Sequence, residues 1–315
     1  MKPVTSAVAP SARRLRLADG RRLAYSDRGD PNGYPLVLGH GMPGCHREGT
    51  FFHERARHHG FRILTPDRPG IGASDARPGQ TLRDYPDDLR QLLDHLGIDR
   101  FSHIGWSSGG SRTLACALVL ADRLDLGVCL SGYTHFAEYP GGLRLIEGTR
   151  WPGPRLARLS PTLVRLAVTL VAALSRRHPG LYLRQARHLV SEQDRQLLRQ
   201  ALTGETFRQD QLICLNSGGR AIANDLLAEL NDWGFRLAWV KRPIWLYQGE
   251  QDPFVAMDYA RHLADNLAHA DLTRLPEAGH LYPLSDTFQD HLFQRLRRAL
   301  APHTEERTHI PCPTR

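Results

Sequence analysis

The sequence predicts an α/β protein built on a mostly parallel sheet and interrupted by a long helical insert. Three observations carry this expectation: short apolar runs bounded by turn residues, segments of helical length between them, and a stretch of about a hundred residues in which the alternation stops. A chain of 315 residues with 41% hydrophobic and 23% charged residues excludes a disordered protein, and allows one large domain or two smaller ones.

Arg13 to Ser26 alternates apolar and polar residues around the turn A-D-G-R-R, the pattern of a β-hairpin. Pro35 to Gly39, Phe61 to Thr65, Phe101 to Trp106 and Leu126 to Leu130 are short apolar runs typical of strands buried on both faces. Between them, Glu48 to His59, Leu82 to Leu96 and Gly110 to Ala121 have helical length. After Tyr133 the chain reads as helical and arginine-rich, from Leu143 to about Trp233. The strand and helix rhythm returns with a strand at Ile244 to Tyr247, a helix at Val255 to Ala268, a strand at Asp271 to Leu275 and a helix at Thr287 to Leu300. The expected organisation is a core at 13–133 and 237–301, a helical cap (lid) at 134–236, and flexible tails at 1–12 and 302–315. Within the insert, Leu163 to Leu174 is apolar except for Arg165 and a threonine. It is too short to span a bilayer, so a lid helix packed on several sides or lining a cavity is expected.

The net charge of +8 comes almost entirely from arginine, since Lys2 and Lys241 are the only lysines. The charge is dispersed, without a long basic run, zinc-finger spacing or an aromatic-basic signature, which argues against nucleic-acid binding. Five cysteines (Cys45, Cys116, Cys129, Cys214 and Cys312) without C-x-x-C spacing argue against a disulfide framework. The first residues lack the apolar core of a signal peptide, so a cytoplasmic protein without stable membrane insertion is expected.

Gly105-Trp106-Ser107-Ser108-Gly109 places a G-x-S-x-G elbow between a buried strand and a helix. Such a turn strains the serine backbone and needs small residues on either side, which Gly105 and Gly109 supply. A serine hydroxyl needs a base, and the base needs an orienting acid. In chain order, Asp252 follows the strand I-W-L-Y-Q-G-E, and His280 lies in the loop E-A-G-H after the next strand. Both are loops at the C-terminal edge of the sheet. Glu138, after the sixth strand, is the alternative acid. H-G-M-P-G, His40 to Gly44, follows the first buried strand, where a second oxyanion amide belongs. Pro43 has no N–H, so the backbone amides of Met42 and Ser108 are the expected donors, with His40 bracing the loop.

With H-G-M-P-G, D-R-P-G-I-G-A-S-D (Asp67 to Asp75), G-W-S-S-G-G, G-E-Q-D-P and E-A-G-H in this order, the chain resembles the α/β-hydrolase superfamily, in particular its serine-nucleophile members with a helical cap. The resemblance covers roughly Leu15 to Leu300. It implies the α/β-hydrolase fold with an eight-stranded, mostly parallel sheet, the insert after the sixth strand as a lid, and cofactor-free catalysis by Ser107, Asp252 and His280. Trp233-Gly234-Phe235 looks like the stretch that leads from the cap back into the sheet in many relatives. Serine at the elbow sets the chain apart from the superfamily's dehalogenases and epoxide hydrolases, which carry aspartate there. Ser108 stands where relatives carry glycine, methionine or glutamine, which implies a more polar pocket wall.

The expected reaction is two-step hydrolysis of a carboxylic ester with a small or medium apolar acyl or alkyl group. Trp106, Phe136, Tyr139 and Trp151 are candidate walls of the substrate pocket. A carbon-carbon bond hydrolase, a lactonase, an acyltransferase and a non-catalytic ligand-binding protein remain alternatives. Fourteen arginines against nine carboxylates from His135 to Arg236 could favour an anionic substrate or simply solvate outer helix faces. G-I-G-A-S-D lacks the third glycine of a dinucleotide fingerprint, and His53-Glu54 to His58-His59 lacks H-E-x-x-H spacing, so neither a nucleotide cofactor nor a metal is expected.

Overall fold

The computed structural model describes residues 12–139, 141–147 and 160–305. Eight strands form one sheet: β1 (Arg13–Arg16), β2 (Arg22–Gly29), β3 (Tyr34–Gly39), β4 (Phe61–Pro66), β5 (Phe101–Trp106), β6 (Leu124–Leu130), β7 (Ile244–Gly249) and β8 (Ala270–Leu275), in the order β1-β2-β4-β3-β5-β6-β7-β8. The hairpin β1–β2 is antiparallel, β2 runs antiparallel to β4, and every other neighbouring pair is parallel. The central strands β3, β5 and β6 are buried along their whole length, which is why they read as unbroken apolar runs.

Two helical layers cover the sheet. On one face, α2 (Tyr85–His95), α3 (Gly109–Val119) and α10 (Met257–Asn266) place Leu89, Leu92, Leu114 and Leu263 against Val37, Leu64 and Leu246. On the other, α1 (His53–His58) and α11 (Asp286–Glu305) place Ala56, Leu292, Phe293 and Leu296 against Leu36, Leu38, Ile104 and Val128. The helix expected over Glu48 to His59 is divided into a 3₁₀ turn at His46–Thr50 and α1. Glu48 is turned inward there, accepting from the Gly41 amide. A second 3₁₀ turn, Leu82–Asp84, starts under a Thr81–Asp84 capping box and leads into α2. The helix α11 runs on through Pro302 to Glu305, into the expected tail, while residues 1–11 and 306–315 lie outside the described residues.

Between β6 and β7 lie α4 (Gly142–Glu147), α5 (Pro161–Arg177), α6 (Pro179–Leu189), α7 (Glu192–Arg199), α8 (Ala201–Asn216) and α9 (Gly219–Leu230). The structure corrects the expectation for Leu163 to Leu174. Only one stripe of α5, made by Val164, Ala172 and Ser175, is buried, and it faces α9 and α8. Leu163, Leu166, Leu170, Val171 and Leu174 are all at least 51% exposed. Hydropathy counts apolar residues along a helix but does not supply partners for every face.

Candidate active site

Strand β5 ends at Trp106 and α3 begins at Gly109, leaving Ser107 on a turn too tight for ordinary helix or strand dihedrals. Its φ is 55°, one of two positive values among the described non-glycine residues. Packing enforces the turn: a Cβ on Gly105 would lie 2.1 Å from the Gly109 carbonyl oxygen, and one on Gly109 would lie 2.0 Å from that of Gly39. The H-G-M-P-G loop backs onto this elbow, close enough that a methyl on Gly41 would touch the Ser107 Cβ at 3.6 Å.

Across the sheet edge, His280 Nδ1 donates to Asp252 Oδ2 at 2.7 Å, and Asp252 Oδ1 accepts from the amides of Phe254 (2.8 Å) and Val255 (3.0 Å). The indole of Trp106 donates to the His280 carbonyl at 3.2 Å, joining the elbow strand to the histidine loop. Ser107 is 6% exposed and His280 8% exposed, so both are buried. Residues 34–287 match the profile of the alpha/beta hydrolase fold. The chain belongs to the alpha/beta hydrolase family. It is 30% identical over 269 residues to 2-hydroxy-6-oxononadienedioate/2-hydroxy-6-oxononatrienedioate hydrolase of Burkholderia vietnamiensis, covering 82% of this chain and 84% of that one. Among solved structures, a hydrolase from Pseudomonas aeruginosa superposes with a TM-score of 0.69 at 22% identity, covering 93% of this chain and 99% of that one. A thermophilic esterase from Thermogutta terrifontis superposes with a TM-score of 0.68 at 23% identity, covering 92% and 99%.

In this alpha/beta hydrolase, the inserted helices hold three of the four loops that carry the candidate site: the elbow, the H-G-M-P-G loop and the His280 loop. From α7, Asp194 accepts from the backbone amides of His280 (2.8 Å) and Leu281 (2.9 Å). From α8, Asp210 accepts from the Cys45 amide (2.9 Å) and thiol (3.1 Å), and Gln211 donates to the Pro43 carbonyl at 2.7 Å. From α9, Asp225 pairs with both Arg68 and Arg112 at 2.9 Å, and Arg68 in turn donates to the carbonyls of His40 and Gly41. Glu229, one helical turn on, accepts from Ser108 Oγ (3.0 Å), Ser111 Oγ (2.8 Å) and Arg112. These carboxylates are the site's hidden components. Asp225 and Glu229, spaced i, i+4 among buried apolar residues of one helix, are the only pair with a pattern that sequence reading could have caught.

The electrostatics follow from burial and these contacts. Burial alone would lower the pKa of His280, but the charge and hydrogen bond of Asp252, with a smaller effect of Asp194, raise it above its ordinary value. Burial pushes Asp252 up, while His280 and the Val255 and Phe254 amides outweigh this and hold it below the usual carboxylate range. Burial raises Glu229 against the opposing effect of Arg112, and it pushes Asp210 up to about 7. Burial, reinforced by Arg68, keeps His40 well below its ordinary value. With Nδ1 donating to the Gly41 carbonyl and Nε2 accepting from the Arg68 amide, His40 is a neutral brace.

Other residues singled out in the sequence make contacts of their own. The Ser108 hydroxyl turns into the Glu229 and Arg112 network instead of forming a polar pocket wall. Phe136 is fully buried edge-on to Tyr259, and Tyr139 stacks on His262, 4.6 Å between centroids. Trp151 lies outside the described residues. Glu138 accepts from the Leu237 amide and sits beside His135, while the carboxylate bonded to His280 is that of Asp252. His53 and His59 are committed to Gly29 and Asp290 respectively. Cys45, His46 and Asp67 do bring one ligand atom each within 4.8 Å of one another. His46 Nδ1 donates to Asp67 at 2.8 Å and the Cys45 thiol to Asp210, so a metal there would have to displace these bonds. Cys45, Cys116, Cys129 and Cys214 are buried free thiols.

Proposed function

We propose that this protein is a serine hydrolase that cleaves a carboxylic ester through an acyl-enzyme, with Ser107 as nucleophile, His280 as general base and acid, and Asp252 as orienting acid. The observation that carries this reading is the 2.7 Å bond from His280 Nδ1 to Asp252 Oδ2 beside a strained serine elbow. That bond leaves Nε2 of the neutral imidazole with its lone pair, ready to take the Ser107 proton as the hydroxyl attacks the carbonyl carbon. The amides of Met42 and Ser108 then hold the tetrahedral oxyanion. Their candidacy is supported by the hydrogen-bond pattern, in which, among the described residues, neither amide has a protein acceptor. His280 next gives its proton to the departing alcohol oxygen. It then takes one from water, which attacks the acyl carbon, and returns that proton to Ser107 Oγ as the Oγ–acyl bond breaks and the acid leaves.

Residues 134–236 serve as the lid in this reading, controlling access to the buried Ser107. The apolar preference rests on the surroundings of His280 and the oxyanion loop. Phe254 lies 5.3 Å and Trp106 6.1 Å from the His280 ring, and Met42 packs with Ile71, Cys214 and Ile222. A second reading, cleavage of a carbon-carbon bond next to a ketone by the same residues, draws support from the similarity to the Burkholderia dienedioate hydrolase.

Intact mass after treatment with a fluorophosphonate tests the shared chemistry. A single adduct is expected on the wild type and none on Ser107→Ala, whose kcat should fall on the order of 10⁵-fold or more. A folded wild type that takes no adduct, or a variant that still takes one, would overturn the assignment of Ser107. Mass analysis of products from simple alkyl esters and from a vinylogous 1,5-diketone then decides between the two readings.

A further inference from the structure

We propose that the outer face of α5 and α6 docks this protein on the surface of a membrane rich in anionic lipid. Of the eight large apolar side chains that the described residues leave exposed, seven fall on these two helices. Leu163, Leu166, Leu170, Val171 and Leu174 recur at spacings of one, three and four, making a continuous stripe along the side of α5 opposite to Val164 and Ala172. Leu181 and Leu189 extend the apolar surface along α6, and Leu166, at 67%, is the most exposed of the seven.

The charges on α5 and α6 have one sign. From Gly148 to Ser191 the chain carries eight arginines and no aspartate or glutamate. Of the described ones, Arg165 donates to Asn224, while Arg176, Arg177, Arg184 and Arg187 are exposed and have no ion-pair partner among the described residues.

Apolar surface rimmed by arginine matches an interfacial helix, which sinks its leucines among acyl chains while guanidinium groups meet phosphates. The stripe spans Leu163 to Leu174, about 17 Å at the helical rise, so it can lie on a bilayer but not cross one. Consistent with this, no helix among the described residues is long and apolar enough to cross a membrane. A second copy fits less well. A twofold contact through this face would bring two arginine rims together, with no carboxylate between Gly148 and Ser191 to pair with them.

Flotation of the full chain with lipid vesicles tests the proposal. The wild type should float with phosphatidylglycerol–phosphatidylcholine vesicles and remain below with phosphatidylcholine alone. Two double variants, Leu166→Glu with Leu170→Glu and Arg176→Glu with Arg177→Glu, should each partition roughly tenfold less or worse. Their hydrolysis of a soluble ester should be unchanged, since none of these side chains touches the candidate site. Three outcomes would overturn the proposal. The wild type could fail to float even at low salt. The leucine variant could float like the wild type while inorganic phosphate displaces both, leaving only an anion site. Light scattering could detect a dimer that the leucine variant dissolves, making a second copy the occupant.

Discussion

His280 can accept the serine proton only as a free base, so its protonation sets the acid limb of activity in the proposed reaction. Because Asp252 and Asp194 raise its pKa, kcat/KM should climb with pH through a midpoint above the ordinary histidine value of about 6.5. Asp252→Asn should lower kcat about 10⁴-fold, because the amide no longer holds Nδ1–H as a donor toward it. It should also move the midpoint downward, as burial is left less opposed. A pH–rate profile on both proteins reads the two effects separately, and an unmoved midpoint would show that another group sets the limb. Ser107, Asp252 and His280 were legible because each follows a strand at a position set by local motif chemistry. Asp194 was not, because it reaches the backbone of His280 from 86 residues away and carries no spacing that marks it.

Strands that bury both faces announced themselves, as did most helices, but the one-stripe packing of α5 did not. The strands β3, β5 and β6 lie close to their apolar runs because a fully covered strand has no reason to alternate. The helix α5 has the same apolar look for the opposite reason, with leucines that stay outside. Composition cannot separate the two cases, since it records the side chains and not their neighbours. The helix α9 hides two carboxylates among apolar residues, and they meet two guanidiniums beneath the elbow. Glu229→Ala should therefore destabilise the fold by about 3 kcal/mol, because it leaves Arg112 partly uncompensated in the interior. Glu229→Gln keeps an acceptor for Ser108 and should cost less. Urea denaturation of the two variants gives the comparison, and equal losses would mean that the acceptor contributes nothing and the lost charge alone sets the cost.

At the scale of the molecule, the inserted helices and the sheet meet through buried acids, so their union depends on pH. Asp210 holds the Cys45 amide, and its pKa is pushed up to about 7 from the ordinary 3.8. A group raised in the folded state contributes its stability in full below the unfolded value and loses it as pH rises through the folded one. The wild type should thus lose melting temperature between about pH 4 and pH 7 relative to Asp210→Asn, which keeps the acceptor but never ionises. Parallel Tm curves for the two proteins across that range would refute this coupling.

Asp194, Asp210, Asp225 and Glu229 also bear on how such an enzyme can change its substrate. In the proposed mechanism, grafting a foreign segment in place of residues 134–236 would exchange more than a lid, because the same helices carry the struts of the proposed nucleophile, base and oxyanion loop. A productive chimera would have to keep those four acids at their stations.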